Sequence, residues 1–175
     1  MSPKRKRWTG DQKGFSLIEL MVVVGIVALL AGISTPMISS WMTKVRLKNT
    51  ARDISTMLYN ARANAISKSL EYRVRFDEAN KTYSLDRGNA FSGSTIWTAE
   101  KGSQPLPAGI TFSGFDAGFP TSGGLKALVI SPEGGKVEVA KTTETTHNLT
   151  LANDKNDKYK IQIVTRTGHV AIEKQ

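Results

Sequence analysis

Between Phe15 and Ile33 almost every position is apolar, from Trp41 the pattern becomes amphipathic, and from Glu71 short apolar–polar alternations follow. Each regime predicts a different element. The apolar run is nineteen residues long; at a rise of about 1.5 Å per residue it spans about 28 Å as a helix, close to the thickness of a bilayer core. In the amphipathic stretch Leu47, Ala51, Ile54, Leu58, Ala61 and Ala65 recur at three- and four-residue steps, the stripe of a helix lying on a sheet. Alanines and long unbranched side chains favour the helix throughout. It is expected to stop between Ser67 and Leu70, where β-type residues begin. Gly25, Gly32 and Pro36 interrupt the pattern. Small residues let helices approach closely in lipid, and Pro36, lacking a backbone donor, is expected to break or loosen the helix near its exit from the apolar segment.

The third regime reads as strands and turns. Tyr72, Val74 and Phe76 alternate with Arg73 and Arg75, a strand with one buried face and one solvated face. Asp77 to Asn80 turns it back into Thr82–Leu85. A short strand is expected around Thr95–Trp97, a loop at Pro105 and Pro107, and a strand at Ile110–Phe112. Ser113 to Gly124 is glycine-rich and is expected to be irregular. Further strands are expected at Leu128–Ile130, around Val137 and Val139, around Leu149 and Leu151, at Tyr159–Ile163 and at Val170–Ile172. Asn153 to Asp157 is expected to be a hairpin tip. The sum is an α+β fold: a long N-terminal helix, part transmembrane and part amphipathic, packed on an antiparallel β-sheet. The divisions are a leader at 1–14, a transmembrane helix at 15–38, an amphipathic helix at 39–70 and a β-rich globular domain at 71–175.

Charge sharpens the N-terminal reading. The 175-residue chain carries +9, and Lys4, Arg5, Lys6, Arg7 and Lys13 against Asp11 place +4 of it in the leader. Basic residues before an apolar helix are retained on the cytoplasmic side, so the globular domain is expected in the periplasm of a single-pass inner-membrane protein. The +5 that remains is only mildly basic, below the footprint of a dedicated nucleic-acid binder. Lys44, Arg46, Lys48, Arg52, Arg62 and Lys68 read as a solvated helix face, with phospholipid headgroups as a second reading for those near the membrane exit. There are no cysteines, which removes disulfides and thiol chemistry together.

Glu19 needs a reason. A carboxylate inside an apolar segment is expensive, and it either reaches back to the membrane edge or meets a specific partner. An ordinary secretory signal would have a shorter apolar core, and a plain signal anchor leaves both Glu19 and the Gly14–Phe15 junction unexplained. The stretch Gly14-Phe15-Ser16-Leu17-Ile18-Glu19-Leu20 resembles the processing site of type IV prepilins. That resemblance implies cleavage after Gly14 by a prepilin peptidase and N-methylation of Phe15. It also implies assembly with other pilin or pseudopilin subunits, with Glu19 meeting a neighbour's amino terminus. The hairpin after the helix, the Ser131-Pro132-Glu133-Gly134 turn and the closing Thr167-Gly168-His169-Val170 are similar to the H-type minor pseudopilins of type II secretion and their FimT relatives in type IV pili. The implied role is structural, in filament initiation or at the tip. The alternative is a DNA-binding minor pilin of natural competence, although DNA-uptake members have an arginine-rich end and this chain has no arginine after Arg166.

No enzymatic constellation emerges. His147 and His169 lack metal-ligand spacing, no nucleophile elbow is present, and the Gly114–Gly124 stretch lacks the lysine of a phosphate loop. Asp154, Asn156 and Asp157 lack the glycine and distal glutamate of a calcium loop. No cofactor is implied. Phe112, Phe115 and Phe119 read as core packing of a long loop, with contact to a filament partner as the second reading.

Overall fold

The computed structural model describes residues 14–133, 137–138, 146–165 and 167–175; the side chains of residues 33–39, 137 and 138 lie outside the described set. The expected leader, apart from Gly14, and residues Gly134 and Val139 also lie outside it. The chain forms two compact units, Met1–Ser40 and Trp41–Gln175.

Helix α1 is Leu17–Lys68. Its assignment is unbroken at position 36, where the sequence predicts a break. In the second unit the predicted stripe is the buried stripe: Leu47, Ala51, Ile54, Ala61 and Ala65 are 0% exposed and Leu58 is 3%. Thr50 and Ser55 share this face and return their hydroxyls to the carbonyls of Arg46 and Ala51, both at 2.9 Å, so neither is left unsatisfied. Ser69, at φ 53°, turns the chain out of the helix.

Ten strands follow among the described residues, in two sheets rather than one. The first holds β1 (Tyr72–Asp77), β2 (Thr82–Gly88), β3 (Trp97–Pro105), β5 (Thr121–Ser122), β6 (Leu125–Ile130) and β7 (Val137–Glu138), in the order β3-β2-β1-β6-β5 with β7 also on β6. The second holds β4 (Ile110–Phe115), β8 (Thr146–Asn153), β9 (Lys158–Val164) and β10 (His169–Lys174), in the order β10-β9-β8-β4. All pairings are antiparallel. Two segments are more regular than their composition suggests. The strand expected at Thr95–Trp97 begins only at Trp97 and runs on to Pro105, a residue expected in a loop, and Ser113–Phe115 and Thr121–Ser122 are strand within the stretch expected to be irregular. Backbone pairing to a neighbouring strand outweighs poor local propensity there.

One core joins the helix to both sheets. Tyr72, Val74 and Phe76 of β1 belong to it together with Leu149 and Leu151 of β8 and Ile161 and Ile163 of β9. Phe112 and Phe115 of β4 and Phe119 beyond it join the two sheets. Phe76 meets Phe112 and Phe119 edge-on, with centroids 5.9 Å apart in each case, and Phe115 at 5.8 Å. Phe119 is buried in the core, and Phe112 and Phe115 are partly buried and packed against it. On the helix, the Tyr59 hydroxyl donates to the Val170 carbonyl at 3.1 Å and ties α1 to β10. At the helix end, Lys68 Nζ bonds Glu100 Oε1 of β3 at 2.6 Å. That bond holds the Glu100 carboxyl below its ordinary range and raises the lysine.

The outer face of β1 departs from the expected solvated face. Arg73 stands opposite Asp86 in the β1–β2 register and bonds it through Nε at 2.9 Å. Arg75 meets the same carboxylate, with Nη2 hydrogen-bonded at 3.2 Å and Nε at 2.6 Å in a contact that lacks hydrogen-bond geometry. Trp97 covers the Arg73 guanidinium at 4.3 Å, and Ser122 accepts from its Nη1 at 3.0 Å. The Asp86 side chain is 2% exposed. Removing Asp86 leaves the nearly buried Arg73 guanidinium without its carboxylate, while Arg75 keeps some access to water. Asp86→Ala is therefore expected to cost about 3–5 kcal/mol, read by chemical denaturation of a fragment spanning residues 41–175, which contains the entire core. A loss below about 1 kcal/mol would mark the group as an ordinary surface ion pair.

Candidate functional site

The candidate residues Gly14, Phe15 and Glu19 lie together at the start of α1. Ser16 immediately precedes the helix, and its Oγ accepts the Glu19 N–H at 3.2 Å while its carbonyl accepts the Leu20 N–H at 3.2 Å. This is an N-cap, with Glu19 at the third helical position near the positive end of the helix dipole. The Ser16-x-x-Glu19 spacing ahead of an apolar run is a helix-start signature that the sequence reading above did not use. Gly14 and Phe15 thus form an exposed, non-helical lead-in to a capped helix, with Phe15 82% exposed.

Nothing in the described structure covers this segment. The apolar side chains from Leu17 to Leu30 are each more than half exposed, Leu17 at 77%, Val23 at 52% and Leu29 at 71%. They occupy every face of the helix, and a helix apolar all round belongs in an apolar environment. A Cβ placed on Gly14, Gly25 or Gly32 would meet nothing within 4 Å. The fold of this chain therefore places no demand for glycine at those three positions. Among the described residues no helix is long and apolar enough to cross a membrane. Part of the predicted 15–38 span lies outside the described set, since side chains stop at Gly32 and resume at Ser40. The Pro36 side chain falls in that gap.

The remaining candidates are dispersed. His147 is 0% exposed; its Nδ1 stands 3.3 Å from Asp116 Oδ1, and Asp116 Oδ2 accepts the Asn148 N–H at 2.9 Å. A ring closed to solvent, edge-on to Phe119 at 5.7 Å, gives no substrate access to its other nitrogen. His169 lies on β10 and is exposed. In the β8–β9 hairpin, Asn153 Oδ1 accepts the Lys155 and Asp157 N–H groups at 3.0 and 2.9 Å, and Asn156 takes φ 64°. Those bonds make the Asn153–Asp157 segment a self-satisfied turn. Among the described residues no group of His, Asp or Glu could hold a metal ion. A cleft of about 310 Å³ between α1 and β2–β3 is lined by Asp53, Asn60, Tyr83, Lys101 and Gln104 among others. Burial, and then the Asp53 charge, push the Tyr83 phenol up.

Glu71 is a buried group that the sequence reading missed. It is 2% exposed, and its two carboxylate oxygens accept the Gly93 and Ser94 N–H groups at 2.9 and 2.6 Å, shaping the β2–β3 loop. A lone glutamate at a helix–strand junction carries no local signal for that role.

Comparison with known proteins agrees with this geometry. The pattern described as the prokaryotic N-terminal methylation motif matches residues 10–35. Two fimbrial proteins of Pseudomonas aeruginosa are each 30% identical over 78 residues, covering 39% of this chain and 51% of the relative. The chain thus spans about half the length of the curated relatives it matches. The minor pseudopilin EpsH from the type 2 secretion system of Vibrio cholerae superposes with a TM-score of 0.54 at 16% identity, covering 74% of this chain and 97% of that one. The type IV minor pilin FimU of Pseudomonas aeruginosa superposes with a TM-score of 0.51 at 14% identity, covering 73% and 92%. At such identities the structural likeness is one of fold. The chain is thus similar to type IV pilins in two respects: an N-terminal methylation motif and a helix-on-sheet fold like that of a minor pseudopilin and a minor pilin.

Proposed function

We propose that this chain is a minor pilin or pseudopilin, a structural subunit of a type II secretion pseudopilus or a type IV pilus. One observation carries the reading: a capped helix whose apolar surface is exposed on every face, with Glu19 as the carboxylate within it and Gly14–Phe15 immediately before it. Residues 15–38 hold the precursor in the inner membrane, with the basic leader on the cytoplasmic side. A prepilin peptidase cuts after Gly14, and Phe15 becomes the methylated amino terminus. The helix then leaves lipid for the core of a filament, where neighbouring helices cover the same apolar faces. Glu19 meets the amino group of an adjacent Phe15, and Pro36 is where the helix loosens on packing. The subunit acts in initiation or at the tip, supporting protein secretion or pilus biogenesis without catalysing a reaction.

Mass spectrometry of the chain isolated from membranes tests this directly. The expected product begins at N-methylated Phe15. A chain retaining residues 1–14, or cut on the far side of the apolar run, would overturn the proposal.

A further inference from the structure

The start of the second unit sets an exposed aromatic residue among cations. Trp41 is 64% exposed and Met42 43% exposed. Lys44, Arg46 and Lys48 follow within two turns, all with exposed side chains. Lys44 Nζ lies 3.9 Å from Asp157 Oδ1, which brings the β8–β9 turn and its exposed Lys155 to the same end of the domain. Among the described residues, Asp157, also bonded by Asn153 Nδ2 at 3.0 Å, is the carboxylate paired with this group, and Asp154 is exposed in the same turn. The cations outnumber them. Lys48 is about 10 Å along the helix from Trp41 at a rise of about 1.5 Å per residue, so all the helix cations lie within about a Debye length of one plane through Trp41.

We infer that this end of the globular unit is a binding surface for anionic phospholipid headgroups. An exposed Trp beside a cluster of Lys and Arg is the chemistry of a membrane interface: the indole sits among headgroups while the cations pair with phosphates. Continuity of the chain supports this occupant, because the helix residues that precede Trp41 lead directly from the apolar segment. The inference rests on the reading of residues 15–38 as a membrane anchor. The surface holds the domain close to the bilayer before extraction, and neutralising it frees the domain to leave with the filament.

The test uses residues 41–175, which fold independently of the anchor because every core residue lies between Leu47 and Val170. The fragment is mixed with vesicles of phosphatidylcholine alone, or of phosphatidylcholine with phosphatidylglycerol. Sedimentation measures binding, and Trp41 emission, isolated by subtracting the Trp41→Phe variant, reports insertion. The expected result is salt-sensitive binding to the anionic vesicles alone, with a blue shift. The triple variant Lys44→Gln, Arg46→Gln, Lys48→Gln should bind on the order of a hundredfold more weakly, at about fivefold per cation. Lys44→Arg with Lys48→Arg should bind as the parent does, which separates charge from folding. No binding, equal binding to both vesicles, or an unaffected triple variant would overturn the inference. Equal affinity for a DNA duplex would overturn it too, by assigning the surface to polyanions in general. Because the fragment lacks residues 14–40, a negative result here leaves the mass-spectrometric test of processing untouched, and the reverse also holds.

Discussion

Glu19→Ala is expected to leave the chain in the membrane and processed at Phe15, yet absent from filaments. The reason is the energetics of a buried charge pair. An amino terminus and a carboxylate that meet among apolar helices offset each other's desolvation, whereas loss of one strands the other. That difference is about 3–5 kcal/mol, a shift of about two to four orders of magnitude in subunit incorporation. Glu19 also sits at the third position of a helix capped by Ser16, where it gains about 0.3–1 kcal/mol from the helix dipole. The two roles separate with Glu19→Gln. Glutamine serves a capping box as well as glutamate does but cannot balance a positive amino group. If Gln restores incorporation, Glu19 is a helix cap and the pairing proposal is lost; if Gln fails as Ala does, charge is what matters. Quantifying the subunit in sheared filaments against the membrane fraction reads the outcome.

Gly14→Ala is expected to block maturation. The structure sharpens this prediction, because a methyl group at residue 14 would meet nothing within 4 Å. Among the described residues nothing opposes the added methyl, so a loss of maturation is expected to reflect recognition by the peptidase. A peptidase that draws an extended backbone into a narrow cleft tolerates no side chain at the cleavage position. The precursor should accumulate with its leader attached and its apolar helix inserted. A variant that still begins at methylated Phe15 would refute the claim that Gly14 directs processing. Gly25 and Gly32 are equally unconstrained by the described structure, which agrees with a helix whose close neighbours come from other subunits.

Legibility in the sequence followed the range of the interaction. The buried stripe from Leu47 to Ala65, the end of the helix and the β1–β2 hairpin were readable because each rests on spacing within a few residues. The N-cap at Ser16 was equally local and was overlooked, although its four-residue signature was present. The outer face of β1 misled the alternation argument. Period-two patterning identifies which residues leave the core, but not what covers the other face, and Trp97 and Ser122 reach Arg73 from distant strands. Likewise Phe119 and its neighbours looked like loop residues until two sheets closed around them.

By itself the sequence determined the N-terminal pattern: a nineteen-residue apolar run, a basic stretch before it, the Gly14–Phe15 junction and one carboxylate, Glu19. Those features act through composition and through spacing along a single helix, and they need no tertiary partner to be recognised. Only the tertiary structure decided that the strands divide into two sheets around α1, that a buried Asp86 pairs with two arginines, and that Glu71 shapes the β2–β3 loop. Each of these depends on groups brought together by chain folding, and a buried charge becomes legible only once its partner and the surface that covers it are in place.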